Sequence, residues 1–146
     1  MQRLLVSVVC FSLCAVLGYA GAGKDAPKIV GGWTATSASS GGKKVPDEEV
    51  AKINLVVTIK EDGKYSVTVM GKEVEAGTYK IDAKQKPIHL DLTITEGKDK
   101  GQTQLGLLKV EGDVMTVAFS KGGSKDRPKN FESAEAVEVT TFKRNK

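Results

Sequence analysis

The stretch that decides the fold is Ile29-Val30-Gly31-Gly32-Trp33-Thr34-Ala35-Thr36-Ser37, which contains the only tryptophan of the 146-residue chain. It predicts a strand from about Ile29 to Ser37, with the large indole ring placed directly behind two glycines. Segments with a period of two follow it along the chain, so this strand opens an antiparallel series. The stretch indicates an architecture and names neither a ligand nor a reaction.

The alternation is clearest where Leu90, Leu92 and Ile94 are separated by polar residues. Asp62-Gly63 predicts a hairpin with a type I′ turn, in which both central residues have positive φ angles. A short helix is predicted where proline and three acidic residues precede Val50 and Ile53, at residues 46–53. The pattern predicts about eight strands, with one helix after the first, in a single all-β barrel or sandwich.

The N-terminus has the three parts of a signal peptide: Arg3, an apolar run over residues 4–17, and small residues around Ala20. We therefore expect a leader at 1–20, a flexible lead-in at 21–28 and the barrel domain at 29–146. The apolar run is short for a membrane span, although an uncleaved anchor is the alternative. The expected location is extracytoplasmic, as a periplasmic or secreted protein with no stable membrane span after cleavage.

Composition excludes several function classes. Both cysteines, Cys10 and Cys14, fall in the leader, so the processed chain has no disulfide and no thiol nucleophile. The 22 basic and 18 acidic residues are interspersed, and removal of Arg3 leaves 21 basic residues. Nucleic-acid binding would require clustered basic residues, so no nucleic-acid partner is expected.

The sequence offers little catalytic or metal chemistry. His89 is the only histidine and is predicted to face solvent, so neither a catalytic triad nor a common zinc site is expected. Four acids could gather at one barrel rim around calcium, although solvated turns are the simpler interpretation: Glu96, Asp99, Glu111 and Asp113. We predict no enzyme, no cofactor and no metal, with a carboxylate hydrolase as an open alternative.

Several motifs resemble an uncharacterised domain family of small exported proteins that is abundant in planctomycetes and related bacteria. They are Val45-Pro46-Asp47-Glu48-Glu49, Gly77-Thr78-Tyr79-Lys80-Ile81-Asp82, Leu90-Asp91-Leu92-Thr93-Ile94-Thr95-Glu96-Gly97, Lys100-Gly101-Gln102-Thr103 and Asp126-Arg127-Pro128 with Phe131. The resemblance spans most of residues 30–144 and implies a bacterial, extracytoplasmic setting without implying an activity.

Gly31, Gly32 and Trp33 also resemble the Gly-x-Trp motif on the first strand of lipocalins. That resemblance implies a lipocalin-like antiparallel β-barrel in which a basic residue of the last strand, here Arg144, packs over the tryptophan. Gly31, Trp33 and Arg144 would then close one barrel end. The strands and the chain are shorter than those of lipocalins, so a wide internal cup is not implied.

Four aromatic residues are candidates for a ligand site: Trp33, Tyr65, Tyr79 and Phe119. They either line a cavity for a small hydrophobic ligand or fill the barrel, since eight-stranded barrels allow both. Arg127, in the predicted loop 122–128, is a candidate contact for an anion or an acidic partner. The expected function is small-ligand binding by a monomer; the alternative is an interaction or inhibitor module with a filled barrel and an envelope protein as partner.

Overall fold

The computed structural model describes residues 26–146. The predicted leader and residues 21–25 of the predicted lead-in lie outside the described residues. Within residues 26–146, no helix is long and apolar enough to span a bilayer.

The described chain contains nine β-strands and one short helix. In chain order they are β1 (Gly31–Ser40), β2 (Lys43–Lys44), α1 (Asp47–Ile53), β3 (Leu55–Ile59), β4 (Lys64–Val69), β5 (Lys72–Asp82), β6 (Ile88–Gly97), β7 (Thr103–Glu111), β8 (Val114–Ser120) and β9 (Val137–Arg144). The first strand begins two residues later and ends three residues later than predicted, because residues 29–30 cross the barrel end before pairing starts.

Eight of the strands close into an antiparallel barrel. Each strand from β3 to β8 pairs with the next, and β1 pairs with both β3 and β9, so that Trp33 lies between Val57 and Arg144. β2 is an extra strand that pairs only with the end of β1. The predicted all-β, lipocalin-like barrel of about eight strands, with a short helix after the first, is confirmed.

The hairpin turns differ in detail from the prediction. At Asp62-Gly63 only the glycine has a positive φ, so the turn is present but the predicted type I′ geometry is wrong. Lys60 N–H donates to Lys64 O at 2.9 Å across a three-residue loop instead. The consecutive positive φ angles that characterise type I′ turns occur at Met70-Gly71 and at Gly41-Gly42, which join β4 to β5 and β1 to β2.

Helix α1 follows from its local sequence. Pro46 precedes it, its first turn is acidic, and Asn54 ends it in a left-handed conformation with a φ of 44°. Val50 is its buried residue and joins the hydrophobic core against β1. One turn of apolar contact therefore attaches the helix beside the end of β1, and this end of the barrel is called the helix end below.

Apolar side chains are buried on both faces of β7 and β8. Leu108 and Val117 point into the barrel, whereas Leu107 and Ala118 alternate with them and point outward, yet both are almost fully buried. The connection from β8 to β9, residues 121–136, lies over this outer face; its Asp126 O accepts a hydrogen bond from the Ser120 hydroxyl. The barrel thus has an inner core and a smaller outer one.

Candidate functional site

The barrel interior contains a cavity of about 220 Å³. Its deep wall is apolar and is formed by side chains that are themselves buried: Ile59, Leu90, Met115, Val117 and Phe142. These residues come from four strands and are inward-facing members of alternating strand patterns. The interior is therefore only partly filled by its own side chains.

Three of the four predicted aromatic residues line this cavity: Tyr65, Tyr79 and Phe119. The Phe119 ring lies over Gly106 of the neighbouring strand, where a Cβ atom would overlap the ring. The Tyr79 hydroxyl donates to Lys60 O at 2.7 Å, so its polar end is satisfied by the barrel itself. The rings present apolar surface to the cavity.

Tyr65 is tied to an acid in the cavity wall. Its hydroxyl donates to Glu75 Oε1 at 2.8 Å, and its side chain is almost fully buried. Burial raises the pKa of the Tyr65 phenol far above its ordinary value, and the hydrogen bond to Glu75 raises that pKa further. Tyr65 therefore remains a neutral hydrogen-bond donor.

The mouth of the cavity is polar and lies at the helix end. Glu75, Gln104 and Glu138 line it, each near the beginning of its own strand, and those beginnings meet at this end of the barrel. Glu138 is exposed, and Glu75 and Gln104 are half-buried, in contrast to the buried deep wall. The cavity is therefore polar at its mouth and apolar at its deep end.

The opposite end is closed by Trp33. Its indole is fully buried, and its Nε1–H donates to Ile29 O at 2.7 Å. Trp33 does not line the cavity, in contrast to its predicted place among the ligand-binding aromatics. The ring lies on the barrel floor, and Ile29 packs with it in the core.

Arg144 fixes this closed end from outside. Its guanidinium lies 4.2 Å from the Trp33 ring centroid, and its nitrogens donate to Val30 O at 2.9 Å and Lys28 O at 2.6 Å. Gly31 has a φ of 127°, and a Cβ there would lie 3.3 Å from Arg144 Nη1, so glycine leaves room for the guanidinium. Gly31, Trp33 and Arg144 therefore meet at one barrel end, and Lys28 of the predicted lead-in is hydrogen-bonded there.

Arg127 lies outside the barrel and away from the cavity. Its Nη1 donates to Gly106 O at 2.6 Å and lies 2.6 Å from Asp91 Oδ1, which accepts no aligned hydrogen bond. The guanidinium attaches the β8–β9 connection to β6 and β7 over the outer core. The predicted contact of Arg127 with an anion or an acidic partner stays a prediction.

The remaining titratable candidates are dispersed. His89 is half-buried on the outward face of β6, in register with outward Leu107. The four acids proposed above as calcium ligands do not share a rim: Glu96 and Asp99 lie by the β6–β7 turn, and Glu111 and Asp113 by the β7–β8 turn at the other end. Among residues 26–146, no three histidine, cysteine or acidic side chains form a group that could hold a metal ion.

The three residues of the cavity mouth are not among the site residues predicted from the sequence. Glu138 shares its strand parity with the inward Thr140 and Phe142, so alternation along β9 could have indicated it. Glu75 likewise shares its strand parity with the inward Tyr79 and lies opposite the inward Val67, so alternation along β5 could have indicated it as well. The shift in the pairing of β4 with β5 comes only after Glu75, toward Glu73.

Comparison of the sequence with models of protein families found no match, and comparison with curated proteins found no similar sequence. The resemblance to a planctomycete-type family of exported proteins therefore stays a prediction.

Proposed function

We propose that this protein binds a small, largely apolar molecule inside its barrel. The observation that carries the proposal is the cavity of about 220 Å³, with an apolar deep wall and a polar mouth at one end. Binding sites of this kind are concave and mostly apolar, with a few polar groups that orient the ligand. The proposal assigns no catalytic step to the protein.

The cavity volume limits the ligand size. An engineered cavity of about 150 Å³ holds benzene, whereas drug-sized ligands occupy about 300 Å³ or more. By that comparison, the ligand has roughly eight to ten non-hydrogen atoms inside the barrel. A single substituted aromatic ring or a short alkyl chain meets this limit.

The apolar wall also argues against carbohydrate chemistry. Two carboxylates do line the mouth, which the hydrolase alternative requires. However, Leu90, Met115 and Val117 offer no partner to sugar hydroxyls, and burying a hydroxyl without a partner costs about 1–3 kcal/mol. The interior therefore favours a ligand without such groups.

Binding of 2-phenylethanol to the exported protein, followed by calorimetry and Trp33 fluorescence, tests the proposal. We expect saturable one-to-one binding, and native mass spectrometry of the same sample would reveal a retained ligand. Val67→Phe should block it by filling the cavity, because Val67 lines the wall. Val114→Phe is the matched control, since Val114 is exposed on the outward face of β8. Absence of binding by folded protein would refute the proposal.

A second function, protein interaction, is favoured by exposed apolar side chains at the helix end. Ile53, Met70 and Val74 are all exposed, and Met70 N–H donates to Ile53 O at 3.0 Å, which joins helix and turn. In this interpretation an envelope protein covers these side chains. Loss of a co-purified partner on Met70→Lys, with ligand binding retained, would support it.

An extracytoplasmic location is part of the proposal and rests on the N-terminal sequence. Arg3, the apolar run at 4–17 and the small residues near Ala20 support export and cleavage. Cell fractionation and N-terminal sequencing test it, and we expect a processed chain that begins near residue 21. A chain retained in the membrane with Met1 in place would contradict cleavage.

A further inference from the structure

We propose that the ligand is a small organic cation: an apolar body with an amine or ammonium group at one end. This inference rests on the proposed function and adds a chemical class to it. The basis of the inference is the negative charge of the residues that line the cavity. The charged residues that line the cavity are Glu75 and Glu138; no lysine, arginine or histidine of the described chain lines it.

The negative mouth is a local feature and does not follow from composition. The chain has more basic than acidic residues, with a formal net charge of +4. The basic side chains nearest in sequence to the mouth, such as Lys72, are exposed and do not line the cavity. An apolar cavity in a basic protein is thus entered past two carboxylates, which attract cations and disfavour anions.

The carboxylate of Glu75 is positioned to accept a hydrogen bond from a ligand. The Tyr65 hydroxyl donates to Oε1 at 2.8 Å, and the Glu75 side chain lies in the cavity wall opposite Val67. Its second oxygen, Oε2, has no protein partner among the described residues and can accept from an ammonium group. Because Tyr65 remains protonated, its hydroxyl continues to donate to Glu75 Oε1.

The rest of the mouth suits the same ligand. Glu138 lies beside Phe119 in register and accepts a weak hydrogen bond from the Ser40 hydroxyl at 3.3 Å. The Phe119 ring also lines the cavity, and aromatic rings can attract an ammonium group. The cation would therefore lie between two carboxylates and aromatic surface, with its apolar body against the deep wall.

Three probes of similar size and different charge test the inference: 2-phenylethylammonium, 2-phenylethanol and phenylacetate. We expect the ammonium probe to bind at least about tenfold more tightly than the alcohol, and the carboxylate probe to bind most weakly. Added salt should weaken only the binding of the ammonium probe, because it screens the mouth.

The variants Glu75→Gln and Glu138→Gln test whether the two carboxylates of the mouth cause the preference for the ammonium probe. Each should reduce ammonium affinity while leaving the affinity for the alcohol within about twofold, since neither alters the deep wall. Glu73→Gln is the matched control, because Glu73 is exposed on the same strand and does not line the cavity. Should Glu75→Gln fail to fold, the exposed Glu138 still provides the test.

The outcomes separate this inference from the proposed function. Equal affinity for the three probes, or tightest binding of phenylacetate, would overturn the cation inference while the binding function stands. Failure of all three probes to bind folded protein would overturn the binding function itself. An ammonium preference that survives both substitutions would overturn the assignment to Glu75 and Glu138.

Discussion

Replacement of Arg144 by methionine should destabilise the barrel by about 2–3 kcal/mol. The side chain keeps most of its length in this variant but loses its charge and its planar donors. Two hydrogen bonds to Val30 O and Lys28 O contribute about 0.5–1 kcal/mol each, and the contact with Trp33 contributes about 1 kcal/mol. The ion pair of Arg144 with Asp113, at 3.6 Å, is largely exposed, so we assign it no contribution to the free energy of unfolding.

Urea unfolding followed by far-ultraviolet circular dichroism measures this loss without depending on the altered environment of Trp33. A loss of 2–3 kcal/mol would lower Tm by roughly 10 °C for a domain of this size. Arg144→Lys keeps the charge but cannot reach two carbonyls with a rigid fork, so about half of the loss should remain. Lys143→Met is the control, because Lys143 is the exposed neighbour on the same strand.

A change of less than about 0.5 kcal/mol in Arg144→Met would refute the reasoning. Equal stability of the lysine and arginine proteins would contradict the role of the two carbonyl contacts in particular. In either case the closed end would depend on burial of Trp33 alone, without help from the guanidinium.

Three further predictions concern other parts of the barrel. Leu107→Ala should lower the free energy of unfolding by about 2–4 kcal/mol, because it opens a cavity in the outer core. Calorimetry measures this change. A loss below about 1 kcal/mol, as expected for an exposed side chain, would contradict the prediction. Gly106→Ala should cost about 1–3 kcal/mol through overlap with the Phe119 ring, and Phe119→Leu should restore part of that loss in a double-mutant cycle; strict additivity would argue against the contact. Tyr65→Phe should reduce the loss of stability at alkaline pH. The pKa of Tyr65 is raised in the folded protein, so above about pH 10 the phenol ionises first in the unfolded chain. The contribution of Tyr65 to the free energy of unfolding is therefore complete below about pH 10 and declines as the pH rises above that value. Unfolding at about pH 9 and about pH 11 measures this, and parallel pH profiles of both proteins would refute it.

Alternation and turn residues were sufficient to predict about eight antiparallel strands in a barrel or a sandwich, and the resemblance of Gly31, Gly32 and Trp33 to the lipocalin motif favoured the barrel. These signals did not determine every turn. Asp62-Gly63 and Gly71 mark hairpins by composition, and the hairpins are present. The left-handed conformation of Met70 has no sequence signal, because methionine rarely adopts positive φ; the two-residue loop between paired strands imposes it. Turn position was therefore more predictable than turn geometry.

The site was only partly predictable, for physical reasons that differ by residue. Tyr65, Tyr79 and Phe119 are inward aromatics, which alternation identifies. Whether they fill the barrel or line a cavity depends on the summed volume of side chains from all the strands, which no single segment reveals. Arg127 lies in the predicted loop, but its contacts with Gly106 and Asp91 depend on how the β8–β9 connection folds back over β6 and β7, which no local pattern reveals.

The seam between β1 and β9 also has a consequence for how the barrel forms. Thr34 Oγ1 donates to Asn145 Oδ1 at 2.6 Å, and these two residues are 111 positions apart in the chain. Closing so long a loop is entropically unfavourable, and β-proteins dominated by distant contacts typically fold in about milliseconds to seconds. Hairpins such as β3–β4 and β7–β8 can form early, whereas the ring stays open until the last strand joins. We therefore expect the pairing of β9 with β1 to limit the folding rate. That rate should depend above all on the length of chain between these two strands.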